Sequence, residues 1–241
     1  MKILHIGKFY PPFHGGMENF LRDLVQAQQA KGLDVRVLVH NHRGHKTVID
    51  RDGEVGVVAV GTFGSLFFTP VSPAFRSVLK QQLAEFQPDI MHLHMPNPSA
   101  FWVMTLASAK KIPWVLHWHS DVVSSALDWR VKTAFRFYRP LEQALLKRAG
   151  SVIATSPPYL QSSVPLAKWR DKCVVIPLGM GEHRLVVSSQ PEAGDWVETG
   201  LRVLAIGRLT YYKGFEYLVR AAASLPSVQI NLLGRGERQR E

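Results

Sequence analysis

Short, continuous apolar runs alternate with segments of helical periodicity along most of the chain. Seven runs before residue 180 read as strands: Ile3 to Ile6, Val35 to Val39, Val55 to Val60, Ile90 to His94, Trp114 to His119, Val152 to Ala154 and Val174 to Ile176. They are apolar throughout instead of alternating, as strands covered on both faces are, so the pattern predicts a parallel sheet of βα repeats. Between the first two runs, Met17, Phe20, Leu21, Leu24 and Gln28 follow i, i+3, i+4 spacing, with Lys31-Gly32 as a C-terminal stop. Helices are also predicted over Phe75 to Phe86, closed by Gln87-Pro88, and over Ala100 to Lys111, closed by Pro113. Leu127 to Arg148 carries an inward stripe of Leu127, Val131, Ala134, Tyr138, Leu141 and Leu145. Pro140 is expected to kink that helix or to start a second one.

From Gly181 to Gly200 the chain turns polar and loses its periodicity, which marks a linker. A strand over 201–206, a helix over 214–224 and a strand over 228–233 follow. The expected fold is therefore α/β: a Rossmann-like domain at 1–180, a linker at 181–200, and the first βαβ of a second Rossmann-like domain at 201–241. One stretch, from Glu54 to Arg76, has no charge between its ends, yet Gly56, Gly61, Gly64, Pro70 and Pro73 interrupt it. It is read as a strand, an apolar loop and a helix start, not as a membrane span.

Composition narrows the picture. With 46% hydrophobic and 20% charged residues the chain is that of an ordinary soluble globular protein. A net charge of +10 points to an acidic partner: nucleic acid, an anionic membrane surface or a phosphorylated small molecule. No Lys/Arg block, recognition-helix pattern or RNA-binding aromatic signature accompanies that charge, so no nucleic acid is expected. The single cysteine, Cys173, excludes an intramolecular disulfide and a cysteine-based zinc cluster. Within Lys172-Cys173-Val174-Val175-Ile176 it reads as a small core residue of a buried strand. The opening Met1-Lys2-Ile3-Leu4-His5-Ile6-Gly7-Lys8 is too short an apolar stretch for a secretory signal, and a cytoplasmic protein is expected.

Two separate stretches read as a strand feeding a phosphate-cradling turn that opens a helix. The first runs from Lys2 through Tyr10-Pro11-Pro12 to Gly15-Gly16-Met17-Glu18. The second runs from Leu201 to Gly207-Arg208, followed by Lys213-Gly214. A helix N-terminus presents unpaired N–H groups and the positive end of the macrodipole, which suits a phosphate. Gly15-Gly16 lets backbone approach a ligand closely, and equally serves a turn that merely needs glycine. Arg208 and Lys213 oppose the dipole of the helix they precede, so helix stability does not explain Lys213. A bound diphosphate does, because it offers acceptors to a guanidinium, an ammonium and backbone N–H groups together.

His92, His94, His117 and His119 form two His-x-His pairs, and residues i and i+2 of a strand point the same way. A four-nitrogen zinc site is one reading. The preferred one is a buried, hydrogen-bonded pair, His92 and His117, beneath two cleft-facing histidines, His94 and His119, with no metal. Asp121 reads as a general base, a hydroxyl anchor or a helix cap, and Glu18 as an acid complementing a helix dipole.

In this order, Gly-Gly, His119-Ser120-Asp121 and Gly207-Arg208 with Lys213-Gly214 make the chain resemble a glycosyltransferase of family 4, the retaining group with a GT-B fold. Pro88 to Pro98, Ala154-Thr155-Ser156-Pro157 and Ile176-Pro177-Leu178-Gly179 carry the same resemblance, which covers all 241 residues. The version of these segments is similar to transferases that build bacterial surface polysaccharides. The resemblance implies a nucleotide-sugar donor in the cleft, held mainly by the second domain, and a glycan or lipid-linked acceptor held mainly by the first. It implies that Arg208 and Lys213 hold the donor diphosphate, that Gly15 and Gly16 approach it from the other side, and that His119 is the catalytic residue at the transferred sugar. His94, Asn97 and Asp121 would contact sugar or acceptor, and neither a metal nor another cofactor is expected.

The family also carries two glutamates eight positions apart, further into the second domain, and the chain is expected to lack that pair and much of the second sheet. Little turnover is therefore expected of these 241 residues alone. Two other readings stay open: a non-catalytic module that binds acceptor or membrane, and a nucleotide-sugar epimerase of the same fold. Between Asp128 and Arg148 six basic residues stand against two acidic ones. Trp129, Arg130, Thr133, Arg136 and Phe137 fall away from the expected buried stripe. That face suits peripheral attachment to an anionic membrane, on the inner face of the cell membrane.

Overall fold

The computed structural model describes residues 1–66, 69–122, 129–181, 196, 200–210, 213–236 and 238–239, with the backbone alone at 129–131. It divides into two compact units, Met1–Arg184 and Leu185–Glu241. The first unit runs β1 (Lys2–Ile6), α1 (Gly16–Ala30), β2 (Asp34–His40), β3 (Val48–Asp52), β4 (Val55–Val60), β5 (Ser65–Leu66), β6 (Thr69–Pro70), α2 (Phe75–Phe86), β7 (Ile90–Met95), α3 (Ala107–Lys110), β8 (Trp114–Trp118), α4 (Trp129–Arg148), β9 (Ser151–Ala154), α5 (Pro157–Ser162) and β10 (Cys173–Val175).

Eight strands form one sheet in the order β10-β9-β8-β7-β1-β2-β4-β3, all parallel except β3. After β1 the chain builds outward through β2 and β4, then returns to the other side of β1 with β7. The order reverses at β1, and open parallel sheets bind ligands at the carboxyl ends of the strands flanking such a reversal.

Alternate residues of the central strands enter two different layers. Leu4, Ile6, Met91, Leu93, Met95, Trp114, Leu116 and Trp118 join the larger core. That core is completed by Phe75, Leu79, Leu83 and Phe86 of α2 and by Leu145 and Leu146 of α4. Val35, Val37 and Val39 pack instead with Leu21 and Val25 of α1. The α2 boundaries agree with the apolar spacing. Gln87 ends the helix in a left-handed conformation (φ 51°) just before Pro88.

Several expectations need correction. Residues 48–52 form a strand that the sequence did not reveal; it lies exposed at the sheet edge, antiparallel to β4. Gly53, at φ +63°, turns the chain between the two. The loop before α2 contains the small hairpin of β5 and β6. Instead of one helix over 100–111 there is a 3-10 segment, Pro98–Thr105, and then the short α3. Asn97 starts that segment by accepting from Ser99 N–H.

Pro140 neither ends α4 nor starts a new helix. It and Arg136, whose carbonyl loses a partner there, are both exposed, so water can serve that carbonyl. Leu145 is buried as expected, but Leu141 is 46% exposed, and Glu142 and Leu146 are buried in its stead. Leu127 and the Val131 side chain lie outside the described residues. Cys173 is only half-buried, because β10 is an edge strand.

The second unit contains β11 (Leu201–Ile206), α6 (Phe215–Ala223) and β12 (Val228–Leu233), with the two strands parallel and in register. Glu216 in the first turn of α6 and Arg220 in its last turn complement the helix dipole. No helix among the described residues is long and apolar enough to cross a membrane.

Candidate functional site

Register builds a row of imidazoles. His5 of β1 is aligned with His92 of β7, and His94 of β7 with His117 of β8. Aligned residues of parallel strands share a face, as do residues i and i+2, so these four rings lie on one side of the sheet. His119 extends the row past the end of β8, where its N–H donates to Met95 carbonyl. Helix α1 packs on this face. The Phe20 ring lies 4.7 Å from that of His117 and 5.4 Å from that of His119, both nearly edge-on. Further along α1, Gln28 Oε1 is 2.8 Å from His5 Nε2.

Two further hydrogen bonds join the rings: His5 Nδ1 to His94 Nε2 at 3.1 Å, and His94 Nδ1 to His119 Nε2 at 3.0 Å. His5, His92, His94 and His117 are buried, whereas His119 keeps partial access to solvent. Burial disfavours the imidazolium throughout the row. It pulls His5 and His117 down to about 4, and His119 to about 3 with a further push from His117. His92 and His94 are held well below the ordinary range by burial and by neighbouring imidazoles.

His92 and His117 are buried and His119 is partly open, as expected, but two parts of the expectation need correction. His94 does not face a cleft; it is buried and bonded on both sides. The pair expected to be hydrogen-bonded is the less satisfied one, since His92 Nε2 and both His117 nitrogens have no partner among the described residues. Two groups, His5 with His92 and His94, and His94 with His117 and His119, each bring ligand nitrogens within 4.8 Å of one another. His5, Gln28 and Phe20 were not among the candidates. A histidine inside an otherwise apolar strand, Ile3 to Ile6, was the available signal.

The remaining candidates fall in three places. Gly16 opens α1, Gly15 precedes it in extended conformation, and a Cβ at Gly16 would meet nothing within 4 Å. The helix therefore begins at open space. Asn97 is fully buried: its Nδ2 donates to Gly7 carbonyl at 2.9 Å, tying the turn after β7 to the turn after β1. Asp121 Oδ1 accepts from Trp118 Nε1 (2.8 Å), Tyr159 hydroxyl (2.6 Å) and Ser163 hydroxyl (2.8 Å), which fastens the chain after β8 to α5. Arg208 and Lys213 lie in the second unit, exposed, on the turn from β11 to α6. Gly214 caps that helix at φ +68°, a conformation few side chains tolerate.

A family model described as a glycosyl transferase 4-like domain matches residues 15–179. The O-antigen chain mannosyltransferase C of Escherichia coli is 31% identical over 234 residues, which cover 92% of this chain and 58% of that protein. Among solved structures, sucrose-phosphate synthase from Thermosynechococcus elongatus superposes with a TM-score of 0.70 at 22% identity, over 100% of this chain and 64% of the other. Anabaena HepE, solved in complex with UDP and glucose, gives 0.63 at 20% identity, over 98% and 61%. The chain spans about three fifths of the length of the curated relatives it matches. At these identities the solved structures speak for the fold alone, an α/β fold of the GT-B kind.

Proposed function

Because the chain belongs to the glycosyl transferase 4-like family, we propose that it serves transfer of a hexose from a nucleotide-sugar donor to a glycan or lipid-linked acceptor. The transfer retains anomeric configuration and contributes to a surface polysaccharide. The observation that carries this reading is His119, the partly open end of an otherwise buried imidazole row, at the carboxyl end of β8, one strand removed from those that flank the strand-order reversal. A neutral imidazole there suits a sugar, which offers hydroxyls and no charge. In the reaction, the acceptor oxygen bonds to the anomeric carbon as the bond to the diphosphate breaks. The acceptor proton passes to a phosphate oxygen of the donor. Arg208 and Lys213 meet the charge that develops on the leaving diphosphate. Asn97 and Asp121 hold the turns that frame His119. No metal or cofactor enters this reading.

Peripheral docking to an anionic membrane is the second element of the proposal. Lys132, Thr133, Arg136 and Phe137 of α4 are exposed, with Phe137 at 71%, so cations and an aromatic ring share the surface. The Trp129 and Arg130 side chains lie outside the described residues. Co-sedimentation with liposomes is expected to require anionic lipid and to weaken with salt and in an Arg130/Arg136→Glu double variant. Equal binding to neutral vesicles would leave the basic excess to the donor.

Calorimetry with nucleoside diphosphates tests the donor side. Arg208→Ala and Lys213→Ala should each weaken binding by about 1.5–3 kcal/mol, the range for hydrogen bonds to charged groups. Unchanged affinity in both variants would remove the diphosphate assignment.

A further inference from the structure

The rings of His5, His94 and His119 meet end to end. In both bonded pairs the ring centres are 5.4 Å apart while the nitrogens are 3.1 and 3.0 Å apart. The difference is close to two ring radii, so each N···N line runs through both rings and along a lone pair, the geometry of a well-aimed hydrogen bond. A neutral imidazole has one N–H and one lone pair, so a chain of them has a single polarity from end to end. Gln28 sets that polarity, because its Oε1 is a carbonyl oxygen that can only accept. His5 therefore carries its proton on Nε2 and accepts at Nδ1 from His94 Nε2–H. His94 in turn accepts at Nδ1 from His119 Nε2–H. What remains on His119, the member with solvent access, is a lone pair on Nδ1.

We propose that Gln28, His5 and His94 are positioning residues that hold His119 as its Nε2–H tautomer and present Nδ1 as an acceptor to a hydroxyl of the bound sugar. This rests on the reading of His119 as the group that meets the donor sugar. Burial supports it, since the whole row is kept neutral and a neutral row can sustain one polarity. A metal ion is the competing occupant. At a nitrogen–metal distance of about 2.0–2.1 Å, an ion shared by two nitrogens 3.1 Å apart must sit off the line that joins them, where neither lone pair points. It would require the rings of His5 and His94 to turn and their hydrogen bond to break.

Long-range proton–nitrogen NMR on the 241-residue chain, labelled with 15N-histidine, distinguishes protonated ring nitrogens from those bearing a lone pair. His5, His94 and His119 are each expected as a single Nε2–H tautomer. Gln28→Leu removes the acceptor at the far end and should leave His119 as a mixture of tautomers. Gln28→Glu, whose carboxylate also accepts, should restore the single form. Gln28 is only partly buried on α1, so both variants keep the sheet intact. His119 as Nδ1–H in the wild type, an unchanged tautomer in Gln28→Leu, or stoichiometric movement of the three signals with added Zn²⁺ would each overturn the proposal. No sugar is present in this measurement, so its outcome is separate from whether His119 serves transfer.

Discussion

Leu93 and His94 are adjacent on β7, yet they enter different surroundings. Leu93 joins Leu4, Ile6, Met91 and Leu116 against α2 and α4. His94 joins His5, His92 and His117 beneath α1. On the first face burial stabilises, by about 1.5–3 kcal/mol for a leucine side chain. On the second, each hydrogen bond that an imidazole makes is worth about 1 kcal/mol net of the hydration given up, and a nitrogen left unbonded is a cost. His92 Nε2 and both His117 nitrogens recover nothing from the described residues. One face therefore holds the fold together, and the other contributes less per buried side chain.

Acid should separate the two faces most. His5 and His117 stay neutral in the folded chain down to about 4, whereas unfolded histidines protonate below about 6.5. Between those values the unfolded state binds more protons, so stability is fully present above about 6.5 and is lost as pH falls. The loss is about 1.4 kcal/mol per pH unit for each such histidine. Glu142 acts in the opposite sense. Burial first, and Asp121 second, raise its carboxyl to about 7, so it favours the folded state as pH falls from there toward 4.5. One carboxyl stands against the five imidazoles of the row and against His40, which burial also pulls down to about 4. Urea midpoints should drop steeply between pH 7 and 5, and a flat profile would mean that the imidazoles are hydrated or already charged.

Substitutions sharpen the same contrast. Leu93→Ala should cost about 2–5 kcal/mol by chemical denaturation, as for other leucines in full cores. His92→Leu should change stability by less than about 1 kcal/mol, or raise it, because it removes a buried nitrogen without a described partner. A loss as large as that of Leu93→Ala would show that the imidazole is anchored after all, and would erase the distinction between the faces.

The parallel sheet was legible because its strands are apolar runs of the right length, and Phe75–Phe86 because its stripe and its Gln87-Pro88 stop are local. What the sequence hid depends on partners far away in the chain. Residues 48–52 are mostly exposed and pattern poorly, although Asp52-Gly53 was a turn signal. His5 joins the row through a bond to His94, 89 residues on. The resemblance implied ligand contacts for Asn97 and Asp121, and Asp121 also read as a helix cap. Their hydrogen bonds, to Gly7 and to Tyr159 and Ser163, span 90, 38 and 42 residues and serve the framework. Pro140 misled because an isolated helix would break there, whereas α4 keeps it on the solvent side.

Whether the open end of the imidazole row serves hexose transfer is decided by transfer from radiolabelled nucleotide sugar to a lipid-linked or glycan acceptor, with a chain extended to the length of its relatives and with its His119→Ala variant. A retained anomer is expected and, in the variant, a kcat lowered more than KM is raised, as when a contact forms mainly in the transition state. A pure KM effect, or turnover of the donor without any acceptor, would contradict it.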